Sequence, residues 1–339
     1  MDSLSQLALG ASLGVAVMGR RTAVWKAALW GGVAGTLPDL DVLIDYGEPL
    51  ANMVNHRGFS HSLIYLSLLA PALAWLVWRI HGRQASLQRW CLAIWLALIT
   101  HALLDACTVY GTRLLLPFTD YAFGTGSVFI IDLLYTLPLC IGVVAALWRG
   151  AGGGLRWNAA GIVLSTTYLV WGLGVQAHVR SLAIDALPTE ARSSDTLLLV
   201  TPAPLNTVLW RIVAKNNTHY YEGFRSLLDA PGPIRFRRYD SGGALAAGLA
   251  ADNPAHRLHA FANGVVRYDE QDGALRITDL RMGQEPHYVF SFVVAERSAD
   301  GSLRAVAPRS VGTRGDIGEA WDWLLLRVAG HDTPSPGAR

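Results

Sequence analysis

The sequence predicts a mostly α-helical, polytopic membrane domain of four to six spans over residues 1–177, followed by a soluble α+β domain over residues 178–339. Three observations carry that prediction. Hydrophobic residues make up 52% of the 339-residue chain and charged residues 16%, against about 25% charged in ordinary soluble proteins. Charge is also unevenly spread: 10 Lys+Arg and 8 Asp+Glu fall in 1–177, but 18 and 18 in 178–339. Finally, four segments have the length of about 20 mostly apolar residues that a spanning helix needs.

The elements follow in order. Segments 4–19 and 22–37 are short and rich in Gly and Ala, which suits close helix packing; they read as short spans or a re-entrant pair. The four longer candidates are 62–80, 87–107, 127–148 and 157–177. Trp75, Trp78, Trp90, Trp148 and Trp157 lie near their ends, where interfacial aromatics belong. In the tail, TLLLVTPAP, TVLWRIVA, THYYEGFRSLL, ALRITDL and HYVFSFVVAE read as strands. GGALAAGLAADNPAHRLHAFANG and GDIGEAWDWLLLRVAG read as helices, and the terminal DTPSPGAR as a frayed end.

Basic residues set an orientation. The short loops 20–26, 79–89 and 149–156 carry Arg20, Arg21, Lys26, Arg79, Arg83, Arg89, Arg149 and Arg156. By the positive-inside rule these loops are cytoplasmic. Loops 38–61 and 108–126 and everything after 177 then lie on the extracytoplasmic side. The net charge of +2 gives no footprint for nucleic acid. Cys91, Cys107 and Cys140 sit in apolar stretches and read as small buried hydrophobes, with no disulfide framework or CxxC zinc site. A cleaved signal peptide is not expected, because Met1-Asp2-Ser3 offers no positive charge.

Ionisable groups at membrane depth are costly and mark sites. Asp39 and Asp41 follow segment 22–37, and His56, Arg57 and His61 precede 62–80. His101 and Asp105, one helical turn apart, end 87–107, and Asp132 lies near the start of 127–148. In the orientation above, all of these carboxylates and imidazoles lie at the extracytoplasmic face. Together they suit a divalent metal, zinc or manganese, as one or two ions. Such ions activate water against a phosphoester. Arg57 is placed to hold a phosphate oxygen, and Tyr110 and Tyr135 to donate to a leaving group or line the pocket. Each piece also has a plain structural alternative: an intrahelical hydrogen bond for His101 and Asp105, a turn and cap for Asp39 and Asp41, a basic interfacial loop for HRGFSH, and a helix-dipole carboxylate for Asp132.

The stretches GTLPDLDVLID, HRGFSHSL, THALLDACTVYGTRLLLPF and FIIDLLYTLPL resemble the YdjM-type family of membrane-bound, predicted metal-dependent hydrolases. The resemblance covers most of 1–140 and continues more weakly at TPAPLNTVLWRIV and YYEGFRSLLD. It implies a remote relation to zinc-dependent phospholipase C and S1/P1-type nucleases, and Asp39, Asp41, His56, His61, His101 and Asp105 as the metal set, with Asp132 beside them. The chain departs from the family pattern at Gln6, where many members have His, at Val15, where some have Glu, and at Ser60, where Thr is frequent. Gln6 leaves three readings: one ion fewer, a ligand through the amide oxygen, or a decayed site.

The expectation is thus a membrane-embedded metal-dependent hydrolase acting on a lipid or lipid-linked phosphoester. A non-catalytic anchor whose tail binds a partner or envelope polymer is the alternative. A transporter is disfavoured because the ionisable groups gather at one face instead of the midplane.

Overall fold

The computed structural model describes residues 1–83 and 85–336. Of the frayed end read at DTPSPGAR, residues 337–339 lie outside the described residues; in the rest, the Thr333 carbonyl accepts from Trp323 Nε1 at 3.2 Å and Asp332 pairs with Arg235 at 2.8 Å. Two compact units emerge: Met1–Ile44, His56–Leu173 and Pro204–Asn206 in the first, and Asp45–Asn55, Gly174–Ala203 and Thr207 onward in the second.

In chain order the first six helices are α1 (Ser3–Met18), α2 (Val24–Thr36), α3 (Pro49–Asn55), α4 (Leu63–Ile80), α5 (Leu87–Ala106) and α6 (Leu133–Ala186). Three of them, α4, α5 and α6, are long and apolar enough to cross a membrane. α6 is broken at Gly150, whose positive φ of 64° no helix tolerates. Its two arms fold back on each other. A Cβ on Gly161 would meet the Pro138 carbonyl, one on Gly154 the Ala146 Cα, and one on Gly142 the Asn158 Cα. Ser165 Oγ donates to the Tyr135 carbonyl at 2.7 Å, in the same antiparallel register.

α1 and α2, at about 24 and 20 Å, are shorter than a bilayer core of about 30 Å. They pack antiparallel through glycine. A Cβ on Gly10 would fall 2.3 Å from the Gly31 carbonyl oxygen, and one on Gly14 2.2 Å from that of Ala27. The motifs Gly10-x-x-x-Gly14 and Gly31-x-x-x-Gly35 therefore bring backbone against backbone. The buried faces of α1, α2, α4 and α5 share one core, built on Val15, Met18, Ala27, Leu66, Ala97 and Leu98. Asp2 caps α1 by accepting from the amides of Leu4 and Ser5.

The second unit holds two antiparallel four-stranded sheets. One has the order β1 (Leu197–Pro202), β2 (Leu209–Lys215), β3 (His219–Ser226), β4 (Phe236–Asp240). The other is built from β5 (Val266–Gln271), β6 (Ala274–Asp279), β9 (Ser291–Arg297) and β10 (Leu303–Ser310), in the order β10-β9-β6-β5. A small ladder joins β7 (Gly283–Gln284) to β8 (His287–Tyr288). Val175, Val179 and Ala183 pack on Val200, Trp210 and Ile212. Arg211 is buried but fully engaged, with Glu222, the Leu280 carbonyl and the Tyr288 hydroxyl.

Two readings of the tail need correction. The single helix expected over the GGALAAG–AFANG stretch is two short pieces, α7 (Gly243–Ala246) and α8 (Ala255–Phe261). Pro254 cannot continue a helix, and Asn253 caps the new one by accepting from the Ala255 amide. The sequence does not reveal β4 and β5, because FRRYD and VRYDEQ are too charged to show apolar alternation, or β10, because LRAVAPRS is interrupted by Pro308 where the register shifts between Ala305 and Arg309. The closing helix is α9 (Ile317–Val328), capped by Asp316.

Candidate metal centre

Four side chains from three segments converge in the first unit. Asp39 lies on a 3-10 turn, Pro38–Leu43, that follows α2. His61 ends a second 3-10 turn, Phe59–His61, that leads into α4. His101 and Asp105 lie one turn apart on α5. One donor atom from each lies within 4.8 Å of the other three.

The separations have a definite pattern. His61 Nε2 lies 3.0 Å from His101 Nε2, 3.5 Å from Asp39 Oδ1 and 3.2 Å from Asp105 Oδ2. His101 Nε2 lies 3.5 Å from Asp39 Oδ1 and 3.6 Å from Asp105 Oδ2. Ligands about 2.1 Å from a tetrahedral ion are about 3.4 Å from each other, and these five edges bracket that value.

Hydrogen bonds fix which atoms face the centre. His101 Nδ1 lies 2.6 Å from the Gly35 carbonyl oxygen, which only accepts, so Nδ1 carries the proton. Ser60 Oγ donates to Asp41 Oδ2 at 2.5 Å and has no second proton to give. His61 Nδ1, 2.9 Å from Ser60 Oγ, must therefore donate to it. In their neutral forms both imidazoles then turn a bare Nε2 toward the centre, beside two carboxylate oxygens. The buried Asp105 Oδ2 meets Arg57 Nε at 3.0 Å and His61 Nε2 at 3.2 Å, as ion-pair contacts without good hydrogen-bond alignment. Four acceptors around one point fit a cation.

The electrostatics agree. Burial raises the Asp39 carboxyl, but the hydrogen bonds to His101 and His61 outweigh it and hold the group well below the usual carboxylate range. Burial lowers His61, and its bonds to Asp105 and Asp39 more than reverse that, so its pKa rises. Both shifts say that this point demands positive charge.

The surrounding residues support the four. Asp41 accepts from the Arg57 amide at 3.0 Å and from Ser60, and pairs with His56 Nδ1 at 2.7 Å. Burial raises its carboxyl, but the bonds from His56 and Ser60 bring it below the ordinary value. Arg57 Nε lies 3.0 Å from Asp105 Oδ2, Nη1 donates to Thr108 Oγ1 at 3.1 Å, and its guanidinium sits 4.9 Å over the Tyr110 ring. Arg57 holds this position with φ at +61°, a left-handed backbone that costs about 1–2 kcal/mol in a non-glycine residue. Gln6 Nε2 donates to Asp105 Oδ1 at 2.9 Å and to the His101 carbonyl at 3.2 Å. The Met1 amino group also contacts Asp105.

Of the seven sequence candidates, the structure brings Asp39, His61, His101 and Asp105 together. Asp41 and His56 stand one layer out, paired with each other. Asp132 is elsewhere: it accepts from Tyr168 Oη at 2.8 Å and from the Leu134 amide at 3.1 Å, joining the two arms of α6. Tyr135 packs among Ala8, Leu104, Val128 and Leu139, away from the donor set. Tyr110 is buried, with its ring edge-on to His56 at 5.7 Å. Ser60 and the Gly35 carbonyl went unassigned in the sequence; their bonds depend on which strands of chain become neighbours, which no local pattern encodes.

The sequence profile of the YdjM inner membrane protein family matches residues 1–179. This chain belongs to the YdjM family. It is 25% identical over 312 residues to the uncharacterized protein YfhP of Bacillus subtilis, covering 87% of this chain and 90% of that protein. It is 34% identical over 96 residues to the inner membrane protein YbcI of Escherichia coli, covering 27% of this chain and 54% of YbcI. No solved structure matches it. The family match spans all four residues of the candidate cluster.

Proposed function

We propose that this YdjM-family protein is a membrane-embedded, metal-dependent hydrolase acting on a phosphoester of a lipid or membrane-proximal substrate. The observation that carries the reading is the set of acceptors made by Asp39, His61, His101 and Asp105, all within 4.8 Å of one another, with the fully buried Asp105 Oδ2 facing both Arg57 Nε and the imidazoles. Two imidazoles and two carboxylates suit zinc, with manganese as the alternative, and the set accommodates one ion. When bound, such an ion supplies Lewis-acid chemistry, lowering the pKa of water and polarising a phosphoryl oxygen.

The protein's own groups have distinct tasks. Gly35 and Ser60 orient the two imidazoles. Gln6 and Arg57 hold Asp105. Arg57 also adds positive charge beside a phosphoryl group while Tyr110 packs against its guanidinium. Substrate approaches past Asp39 and His56, whose side chains are 18% and 25% exposed while those of His61, His101 and Asp105 are fully buried.

For topology, we read α4, α5 and the two arms of α6 as four crossings, with α1 and α2 as a shorter pair. The arginine-bearing loops face the cytoplasm, and the site and the C-terminal unit face outward.

Metal analysis of detergent-purified protein by elemental mass spectrometry, paired with assays on lipid phosphoesters and soluble phosphodiesters, tests the reading. About one equivalent of zinc or manganese with metal-dependent turnover is expected. Bound metal without hydrolysis across both panels overturns the hydrolase. No stoichiometric metal under any supplementation overturns the metal centre as well.

A further inference from the structure

The segments that carry the donor set also carry an outward apolar collar. On Pro38–Leu43, Asp39 serves the centre and Asp41 is buried beside it, while Leu40, Val42 and Leu43 are exposed, the last two by 71% and 79%. Phe59 is exposed next to Ser60 and His61. Phe118, 85% exposed, tips the loop after α5. That loop is tied to the His61 segment: Ser62 Oγ donates to the Leu116 carbonyl at 2.6 Å, and the Leu63 amide to the Leu114 carbonyl at 2.9 Å.

Bulky apolar groups gathered around a polar centre are costly in water and mark an interaction surface. Here they are continuous with an interface already present. Phe59 lies four residues before the start of α4, a membrane-length helix whose Leu68, Leu69 and Leu76 are exposed. The exposed residues of the collar thus run from the start of this candidate span onto the two 3-10 turns that carry Asp39 and His61. Asp39, the most exposed of the four candidate ligands, is flanked in sequence by collar residue Leu40.

We propose that Leu40, Val42, Leu43, Phe59 and Phe118 seat among phospholipid acyl chains, and that the centre receives an amphiphile whose polar phosphate passes Asp39 toward Arg57 while its chains stay in the collar. The phosphate part rests on the hydrolase reading; the lipid contact does not. A substrate cleaved here would not leave the bilayer, so the length of its apolar chain would govern its rate.

The first arm of the test needs no activity. A photoreactive p-benzoyl-phenylalanine is placed at position 43 or 118 of the full chain, illuminated in native membranes and read by intact mass. Phospholipid-mass adducts at both positions are expected. Their absence, or adducts to protein instead, overturns the lipid contact. The second arm compares a long-chain phosphoester with a short, water-soluble one for wild type, Leu43→Glu and Phe118→Glu, with metal content as the check on folding. A fall of about tenfold in the long-to-short rate ratio is expected from losing one apolar contact of this size. An unchanged ratio overturns the collar as the doorway. Hydrolysis of neither ester by wild type defeats the hydrolase reading alone, and the adducts still decide the collar.

Discussion

His61 and His101 face each other through their Nε2 atoms at 3.0 Å, and each ring's other nitrogen is already engaged, with Ser60 and with the Gly35 carbonyl. Two neutral imidazoles locked in those tautomers present lone pair to lone pair. Something positive must lie between them, either a proton on one ring or a metal ion shared with Asp39 and Asp105. The two cases differ in what a chelator does.

Removing the metal is expected to destabilise the folded membrane unit. A ligand bound only by the native state adds about 2.7 kcal/mol at a hundredfold excess over its Kd. Thermal unfolding in detergent should therefore shift down after chelation and recover on adding zinc or manganese. An unfolding temperature indifferent to chelator and metal would leave the shared proton as the explanation.

The layering of the site predicts a graded response. Alanine at Asp39, His61, His101 or Asp105 should abolish stoichiometric metal. His56→Ala and Asp41→Asn should weaken binding by about 10–100-fold, the usual effect of losing a group that orients a ligand. Competition titration against a chelating dye reads the difference; equal loss in all six would show that Asp41 and His56 bind the ion directly.

Asp132→Asn and Tyr168→Phe should leave metal content untouched. Tyr168→Phe removes the donor of the part-buried Tyr168–Asp132 bond, and Asp132→Asn replaces its charged acceptor with a neutral amide oxygen; each should cost about 1–2 kcal/mol of stability. Loss of metal in Asp132→Asn would return this carboxylate to the ligand set.

Gly31→Ala tests how the helix pair supports the centre. Its Cβ would fall 2.2 Å from the Gly10 carbonyl oxygen, so α1 and α2 must part. Overpacking of this kind costs about 1–3 kcal/mol. Because α2 contains Gly35 and leads into Asp39, metal affinity should fall together with stability. Retained affinity at lowered stability would mean that the centre is held by α5 and the two 3-10 turns alone.

In the second unit, Arg327 donates to both oxygens of Asp229 at 2.5 and 2.9 Å. Burial raises the Asp229 carboxyl, but Arg327 and the Ser226 amide bring it below its ordinary value. A lowered pKa contributes stability above the unfolded value, about 3.9, and that contribution is lost as pH falls through the folded one. Acid unfolding followed by near-ultraviolet circular dichroism should be shallower in Asp229→Asn than in wild type; identical acid limbs would contradict this.

The sequence by itself determined the division into an apolar, charge-poor half and an ordinary polar half, four long apolar segments, of which the last two fall in the two arms of α6, and the residue types of the site. It also ranked positions by depth, because a helix end defines a level along the membrane normal. Depth could not separate His101 and Asp105, at the end of one apolar segment, from Asp132, at the start of the next, because the sequence reading puts both at the same level. Only the tertiary structure decided which way around each helix axis the side chains turn. Asp39 and Asp41, two residues apart on a 3-10 turn, cannot share a direction at three residues per turn, so one joins the donor set and the other supports it. Close glycine packing of α1 on α2 positions the segment carrying Gly35 and Asp39 against α5. That rotation and approach arise from contacts between distant segments, and a one-dimensional pattern of apolar and polar residues does not contain them.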